Sequence, residues 1–351
     1  MPTPQAHGRG TSENPPNRFL PIAVVRDDWD DPSDPQPRTQ FLVDATRSII
    51  SWNDSADLGF NASVNPYRGC EHGCVYCYAR PNHEYLGFSA GLDFETKILV
   101  KQNAPELLRR ALASRRWKPQ VVMMSGVTDA YQPVERRLQI TRQCLKVLAE
   151  FRNPVAIITK NHLVTRDTDL LAEMASYGAA RVTLSVTTLD NRLHRSMEPR
   201  TSTPRRRLRA IEVLAAAGVP VGVNVAPVIP GLTDHEIPGI LEAAADAGAT
   251  TAAYIPLRLP NGVAGLFESW LERYFPERKD KVLNRVRETR GGRLNDPRLG
   301  FRMKGTGPFA AHLSQLFRVA CARHGLSRTL DPLSANSFRR PTTGPQLPLF
   351  S

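Results

Sequence analysis

The chain has 351 residues, 41% of them hydrophobic and 23% charged, with 23 glycines and 29 prolines. That apolar share is enough to bury a large core and excludes wholesale disorder. There is no unbroken apolar run of about eighteen residues and no hydrophobic leader in MPTPQAHGRGTSENPP, so the expectation is a cytoplasmic protein with no membrane partner. The 46 basic residues against 34 acidic ones leave +12, which attracts polyanions at long range without dictating a fold.

In chain order, residues 1–45 are proline-rich and read as a largely flexible N-terminal extension. The stretch HGRGTSENPPNRF has no packing logic of its own and reads as a mobile tail, with Gly8 and Gly10 flanking Arg9. Residues 46–262 are regular. Short β-rich runs at 60–66, 120–125, 154–159, 180–186, 219–229 and 251–257 alternate with helix-period segments. Those segments include PELLRRALASRR, one helix over PVERRLQITRQCLKVLAEF, TRDTDLLAEMASYG, TPRRRLRAIEVLAAAG and TDHEIPGILEAAADAG. Several open on Pro, Thr or Asp and three run into glycine, as helix starts and stops do. Strands apolar throughout imply a parallel sheet covered on both faces, and six β–α repeats suit a barrel or an open barrel arc.

In such a sheet the carboxyl ends of the strands carry the site. That rule gathers Asn65, Ser125 to Asp129, Lys160, Ser185 to Thr188, Asn224 to Pro227 and Pro256 to Arg258 around one mouth. From 263 to 340 the repeat gives way to helices and a glycine-rich loop, a small helical C-terminal extension, and residues 341–351 read as a tail. Leu347, Leu349 and Phe350 in that tail could dock on an apolar patch.

Three of the five cysteines, Cys70, Cys74 and Cys77, fall within NPYRGCEHGCVYCYARP at C-x3-C-x2-C spacing. An odd count clustered this way points to a metal site rather than a disulfide framework. Gly69 and Gly73 let the loop turn tightly enough for the thiolates to converge. Spacing alone leaves two centres open: an iron–sulfur cube with one iron lacking a protein ligand, or zinc with His72 or His83 as fourth ligand. Cys144 and Cys321 lie on apolar helix faces and read as core. His162, His194 and His235 share no ligand spacing.

The C-x3-C-x2-C loop following a first strand, with Tyr76 just before its third cysteine, resembles the signature of the radical S-adenosylmethionine superfamily. The likeness spans about residues 60–257. The segments NPYRGCEHGCVYCYAR, SGVTDAYQPVE, ITK and TLSV resemble the branch containing spore photoproduct lyase and the DNA repair photolyase-like proteins. The resemblance implies a partial (β/α)6 TIM-like barrel in an α/β chain. It implies a [4Fe-4S] cluster on Cys70, Cys74 and Cys77, and S-adenosyl-L-methionine cleaved reductively to a 5′-deoxyadenosyl radical for hydrogen abstraction.

It further implies that Tyr76 and Tyr78 border the cofactor and that Ser125, Gly126 and Asp129 lie at its methionyl end. Lys160 and Ser185 would reach its carboxylate or ribose, while Arg195 and Arg200 are alternatives for the adenosine part. An electron donor of the flavodoxin or ferredoxin kind is an expected partner. Spore photoproduct lyases carry a hydrogen-donating cysteine after the second strand; here that region reads MMSGVTDAYQP and has none.

The basic balance and the run Arg195, Arg200, Arg205, Arg206, Arg207 and Arg209 make nucleic acid a candidate substrate. A radical enzyme modifying a protein or small metabolite is the alternative, and a zinc-dependent nucleic-acid-binding module a third reading. A monomer is the working expectation.

Overall fold

The computed structural model describes residues 8–20 and 38–341. The tail residues Leu347, Leu349 and Phe350, together with the remainder of the N-terminal extension, lie outside the described residues. The chain runs through β1 (Gln40–Val43), β2 (Ile50–Trp52), β3 (Ala62–Val64), β4 (Tyr67–Arg68), α1 (Leu92–Thr96), β5 (Lys97–Val100) and α2 (Ala104–Ala113). It continues through β6 (Val122–Met124), α3 (Glu135–Leu138), α4 (Ile140–Phe151), β7 (Val155–Thr159), α5 (Thr168–Ser176), β8 (Ala180–Ser185) and α6 (Asn191–Met197). Then follow α7 (Pro204–Ala216), β9 (Val221–Val228), α8 (Ile237–Asp246), β10 (Thr251–Pro256), α9 (Val263–Tyr274), α10 (Lys279–Thr289) and α11 (Gly307–Arg323).

Strands β3, β6, β7, β8, β9 and β10 lie side by side in chain order, all parallel, with β2 antiparallel on the outer edge of β3. These are the six strands read from the sequence. β3 and β6 are wholly buried, as apolar runs covered on both faces must be. The sheet ends at β10 and β2, which do not pair, so it is an arc and not a closed barrel. Helices α2, α4, α7, α8 and α11 contribute Leu108, Leu145, Ile211, Leu241 and Phe317 to the main core, and Cys144 and Cys321 sit in it. None of the described helices is long and apolar enough to cross a membrane.

The single helix expected over 133–151 is two. Gln139 takes φ 53 and ends α3; the buried Glu135 carboxylate then accepts the free N–H groups of Thr141 (3.0 Å) and Arg142 (3.4 Å) at the start of α4. A small second sheet, β1–β5–β4, stands apart from the arc.

Residues 8–20 correct the expectation of a loose tail. Arg9, Gly10 and Thr11 are buried, and the segment straps across the cysteine loop. The N–H groups of Gly10 and Thr11 donate to Glu95 at 2.9 and 3.2 Å, Asn14 pairs with Asp93, and Arg18 pairs with Glu84 at 2.6 Å. The polar composition that reads as solvated is the complement of buried carboxylates.

The C-terminal extension bridges the open edges of the arc. Buried Arg290 donates to the carbonyls of Pro256 (2.6 Å) and Leu257 (3.0 Å) at the end of β10, and to Arg302 O (2.7 Å). Arg302 in turn pairs with Asp57, in the loop before β3, at 2.8 Å.

Candidate metal and cofactor site

Cys70, Cys74 and Cys77 occupy the loop that follows β4. Gly69 (φ 77) and Gly73 (φ 66) turn it through backbone conformations that favour glycine. Both flanks are pinned: Cys70 N donates to Phe94 O (2.8 Å), Val75 N to Met197 O (3.1 Å) and Arg80 Nε to Cys74 O (3.0 Å). Glu71 takes the N–H of Val134 at 2.8 Å and pairs with Arg200 at 3.2 Å. Behind the loop, Arg80 and Glu95 form a fully buried ion pair to which the strap adds Gly10 and Thr11.

The thiols have as electrostatic neighbours Asp129 from after β6, Lys160 from the end of β7 and Arg258 from after β10. The loop therefore faces the carboxyl ends of the strands. Burial pushes the Cys70 and Cys74 thiols well above their ordinary range and raises Cys77 as well. Against that, the N–H groups of Ala79 and Arg80 bond Cys77 and that of His72 bonds Cys70, contacts that favour anionic sulfur.

Buried thiols with N–H donors aimed at them suit a cationic centre that supplies the missing charge. Among the described residues no three His, Cys, Asp or Glu side chains form a group that could hold a single metal ion. A cube sets a different requirement, since each thiolate serves its own iron.

Both candidate histidines have neighbours other than the thiols. His72 Nδ1 lies 3.4 Å from Asp129 and its Nε2 3.1 Å from the Asn161 amide. His83 is enclosed by Phe88 and Phe94, and burial lowers its pKa to about 4.

The mouth is organised around one carboxylate. Glu198 is fully buried and pairs with Arg207, with Lys160 Nζ at 3.2 Å, with Thr187 at 2.7 Å and with the Tyr76 hydroxyl. Lys160 Nζ also donates to Thr187 Oγ1 (2.9 Å) and Ala226 O (2.8 Å). Burial, then the nearby Arg207, lowers Lys160 to about 7, and burial raises Glu198. Lys160 thus reaches the mouth with a protein carboxylate already in hand. Arg207, assigned from sequence to a surface run, is buried on α7, where it also holds the carbonyls of Ser202 (2.8 Å) and Ser185 (2.9 Å).

Asp129, expected at the methionyl end, is engaged by groups of the protein. Its oxygens accept Tyr131 N (2.8 Å), Thr159 Oγ1 (2.7 Å) and Lys160 N (2.8 Å) and face His72, so it ties the end of β6 to the end of β7. Ser125 closes its own turn on Thr128 O at 2.7 Å. Gly126 is held through its N–H on Asn65 Oδ1 (2.9 Å) and receives the Tyr78 hydroxyl on its carbonyl (2.7 Å).

Ser185 and Asn224 are paired in register on β8 and β9. Asn224 Oδ1 is buried with no partner, and the Ser185 hydroxyl has none among the described residues. Arg258 stacks on Tyr78 at 4.7 Å, with no ion pair or hydrogen bond among the described residues. Sequence reasoning placed Asn224 and Arg258 at the mouth without a role. The Glu198–Arg207–Thr187 contacts carried no sequence signal, because they form only when α7 folds back under the loop after β8.

The family model described as the Radical SAM superfamily matches residues 64–244. An uncharacterized protein of Mycobacterium tuberculosis (strain ATCC 25618 / H37Rv) is 40% identical over 237 residues, 67% of this chain and 68% of that protein. An uncharacterized protein of Methanocaldococcus jannaschii is 31% identical over 173 residues, 49% of this chain and 62% of its own length. Among solved structures, spore photoproduct lyase superposes with a TM-score of 0.57 at 18% identity, covering 82% of this chain and 81% of its own, which shows a shared fold. A cysteine loop at the mouth of a parallel arc, a family model spanning that loop and most of the strands, and a relative aligned over two thirds of both sequences agree: the chain belongs to the radical SAM superfamily.

Proposed function

We propose that this protein is a radical S-adenosylmethionine enzyme that carries a [4Fe-4S] cluster on Cys70, Cys74 and Cys77 and acts on an anionic, nucleic-acid-like substrate. The observation that carries this reading is three thiols in one pinned loop, Cys70 and Cys74 buried and Cys77 half-buried, facing strand ends where Asn224 Oδ1 lacks a partner among the described residues. An orphaned buried acceptor costs about 1–3 kcal/mol unless a bound group satisfies it. When bound, the cluster and S-adenosylmethionine supply one-electron cleavage and a carbon radical that abstracts hydrogen. Flavodoxin or ferredoxin is the proposed electron source.

The chain's own residues supply position and shelter. Glu198 locks Lys160, Arg207, Thr187 and Tyr76 into one arrangement, so the wall beside the thiols is set before any ligand arrives. Asn224 and Ser185 leave polar atoms for the cofactor, and Tyr78 with Gly126 O forms the opposite lip. The strap of residues 8–20 covers the back of the loop and keeps water from it.

Arg258 is a half-buried cation at the mouth with no ion pair among the described residues, which favours an anionic substrate. Spore photoproduct lyase, the structural neighbour, has been solved with a dinucleoside spore photoproduct. Hydrogen return by a cysteine after β6 has no counterpart here, since residues 120–133 contain none. The test is anaerobic reconstitution and reduction, followed by assay of 5′-deoxyadenosine with and without added single- and double-stranded DNA or RNA. Stimulation by a nucleic acid supports the substrate class; equal release with every addition points to a protein or small metabolite.

A further inference from the structure

A second concavity lies on the face of α6 turned away from the cysteine loop. This groove, of about 720 Å3, is lined by Arg192, Arg195, His235, Tyr274, Phe275 and Arg278 over a floor of Leu193 and Leu232. The two leucines belong to the apolar cluster that backs Cys74 and Tyr76, so one wall separates groove and loop.

Two acids also line the groove, and both are engaged elsewhere. Asp190 accepts the N–H groups of Arg192 (2.6 Å) and Leu193 (3.3 Å) at the start of α6. Glu236 accepts the Thr188 hydroxyl and Leu189 N–H, both at 2.6 Å. Arg192, Arg195 and Arg278 have no ion pair among the described residues.

Arg192 and Arg195 sit three apart on α6 and present one edge, with Arg278 supplied by the segment between α9 and α10. An aromatic wall lines the same groove: Trp270 backs Tyr274 at 5.8 Å and Phe275 at 5.3 Å. Guanidinium groups with no ion pair among the described residues, sharing one concave surface with aromatic rings, have the chemistry of a site for phosphates joined to bases. A carboxylate ligand would use the arginines and leave the rings idle; an apolar ligand would strand the charges.

We propose that this groove anchors single-stranded nucleic acid outside the mouth, with Arg192, Arg195 and Arg278 on backbone phosphates and Tyr274 and Phe275 against a base. The inference rests on the nucleic-acid reading of the function and is independent of the radical chemistry. Anchoring here sets a strand one helix width from the mouth, about 10 Å, where an adjacent nucleotide can enter.

The test uses the full chain and a fluorescent oligothymidylate, titrated by anisotropy from low to high salt. R195A/R278A is expected to weaken binding at least tenfold at low salt. It should also flatten the slope of log affinity against log salt by about 1.4, two phosphate contacts at about 0.7 each. Y274L is expected to weaken binding with the slope unchanged, since a ring contact releases no counterion. Thermal unfolding of each variant verifies that it folds.

Wild-type binding that both variants retain overturns the groove and leaves the nucleic-acid reading standing. No wild-type binding of the oligomer at any salt overturns the strand anchor, while the nucleic-acid reading is decided by the deoxyadenosine assay. Thymidine monophosphate binding as tightly as the oligomer assigns the groove to a free nucleotide and overturns the strand anchor.

Discussion

The two faces of helix α6 treat charge in opposite ways. On the side of the cysteine loop three buried carboxylates each meet a cation: Glu198 holds Arg207 and Lys160, Glu95 holds Arg80, and Glu71 holds Arg200. On the outer face three arginines have no ion pair among the described residues, while the neighbouring acids cap backbone N–H groups. The difference follows from burial. A charge removed from water has to be paired within the protein, and pairing fixes geometry; an exposed charge needs no partner and stays available to a ligand.

The contrast is broken most severely by removing an inner carboxylate. Glu198→Ala leaves Arg207 and Lys160 buried without a counter-charge and is expected to cost about 3–5 kcal/mol, read as a fall in the urea midpoint at constant slope. A loss below about 1 kcal/mol would mean that water reaches this network.

Acid acts on the inner face next. His83 has its pKa lowered to about 4 by burial. Between about pH 6.5 and about pH 4 the unfolded chain takes up a proton that the folded chain refuses, so stability falls as pH drops through that window. The full effect is about 3 kcal/mol. His83→Phe is expected to flatten this acid limb, measured as unfolding free energy against pH; an unchanged limb would place the titration elsewhere.

A smaller effect is expected at the strap. A Cβ on Gly10 would lie 1.7 Å from the carbonyl oxygen of Gly73, so Gly10→Ala has to lift the segment from the loop. The expected cost is about 1–3 kcal/mol, with faster proteolysis within residues 8–20 as the readout. The smallest effect belongs to the outer face, where Arg195→Ala is expected to change stability by less than about 0.5 kcal/mol. A large loss there would show that the groove arginines brace the fold.

The same division explains what the sequence made legible. The six parallel strands were readable because apolar runs bounded by helix starts and glycine stops are local signals, and so was the cysteine loop. The break at Gln139 was not, because a helix-period pattern runs through it and only the distant Glu135 network shows that two helices meet. Residues 8–20 look like solvated tail because Arg, Asn and Gly carry no hydrophobic period; their partners Glu95, Asp93 and Glu84 lie 85, 79 and 66 residues on. Arg207 reads from residue type as one of an arginine run open to phosphate, and nothing in the sequence marks Glu198 as its partner. Each is buried because of the other, and pairing between elements leaves no periodic trace in sequence.

The central claim is that three thiols in one loop hold an iron–sulfur cube for S-adenosylmethionine. The most direct measurement is iron and sulfide content with electron paramagnetic resonance after anaerobic reconstitution, for wild type and a Cys70→Ala/Cys74→Ala/Cys77→Ala variant. The account predicts about four irons per wild-type chain, a reduced-cluster signal altered by added S-adenosylmethionine, and neither in the variant. Wild-type protein that takes one zinc, refuses iron and shows no such signal would contradict it.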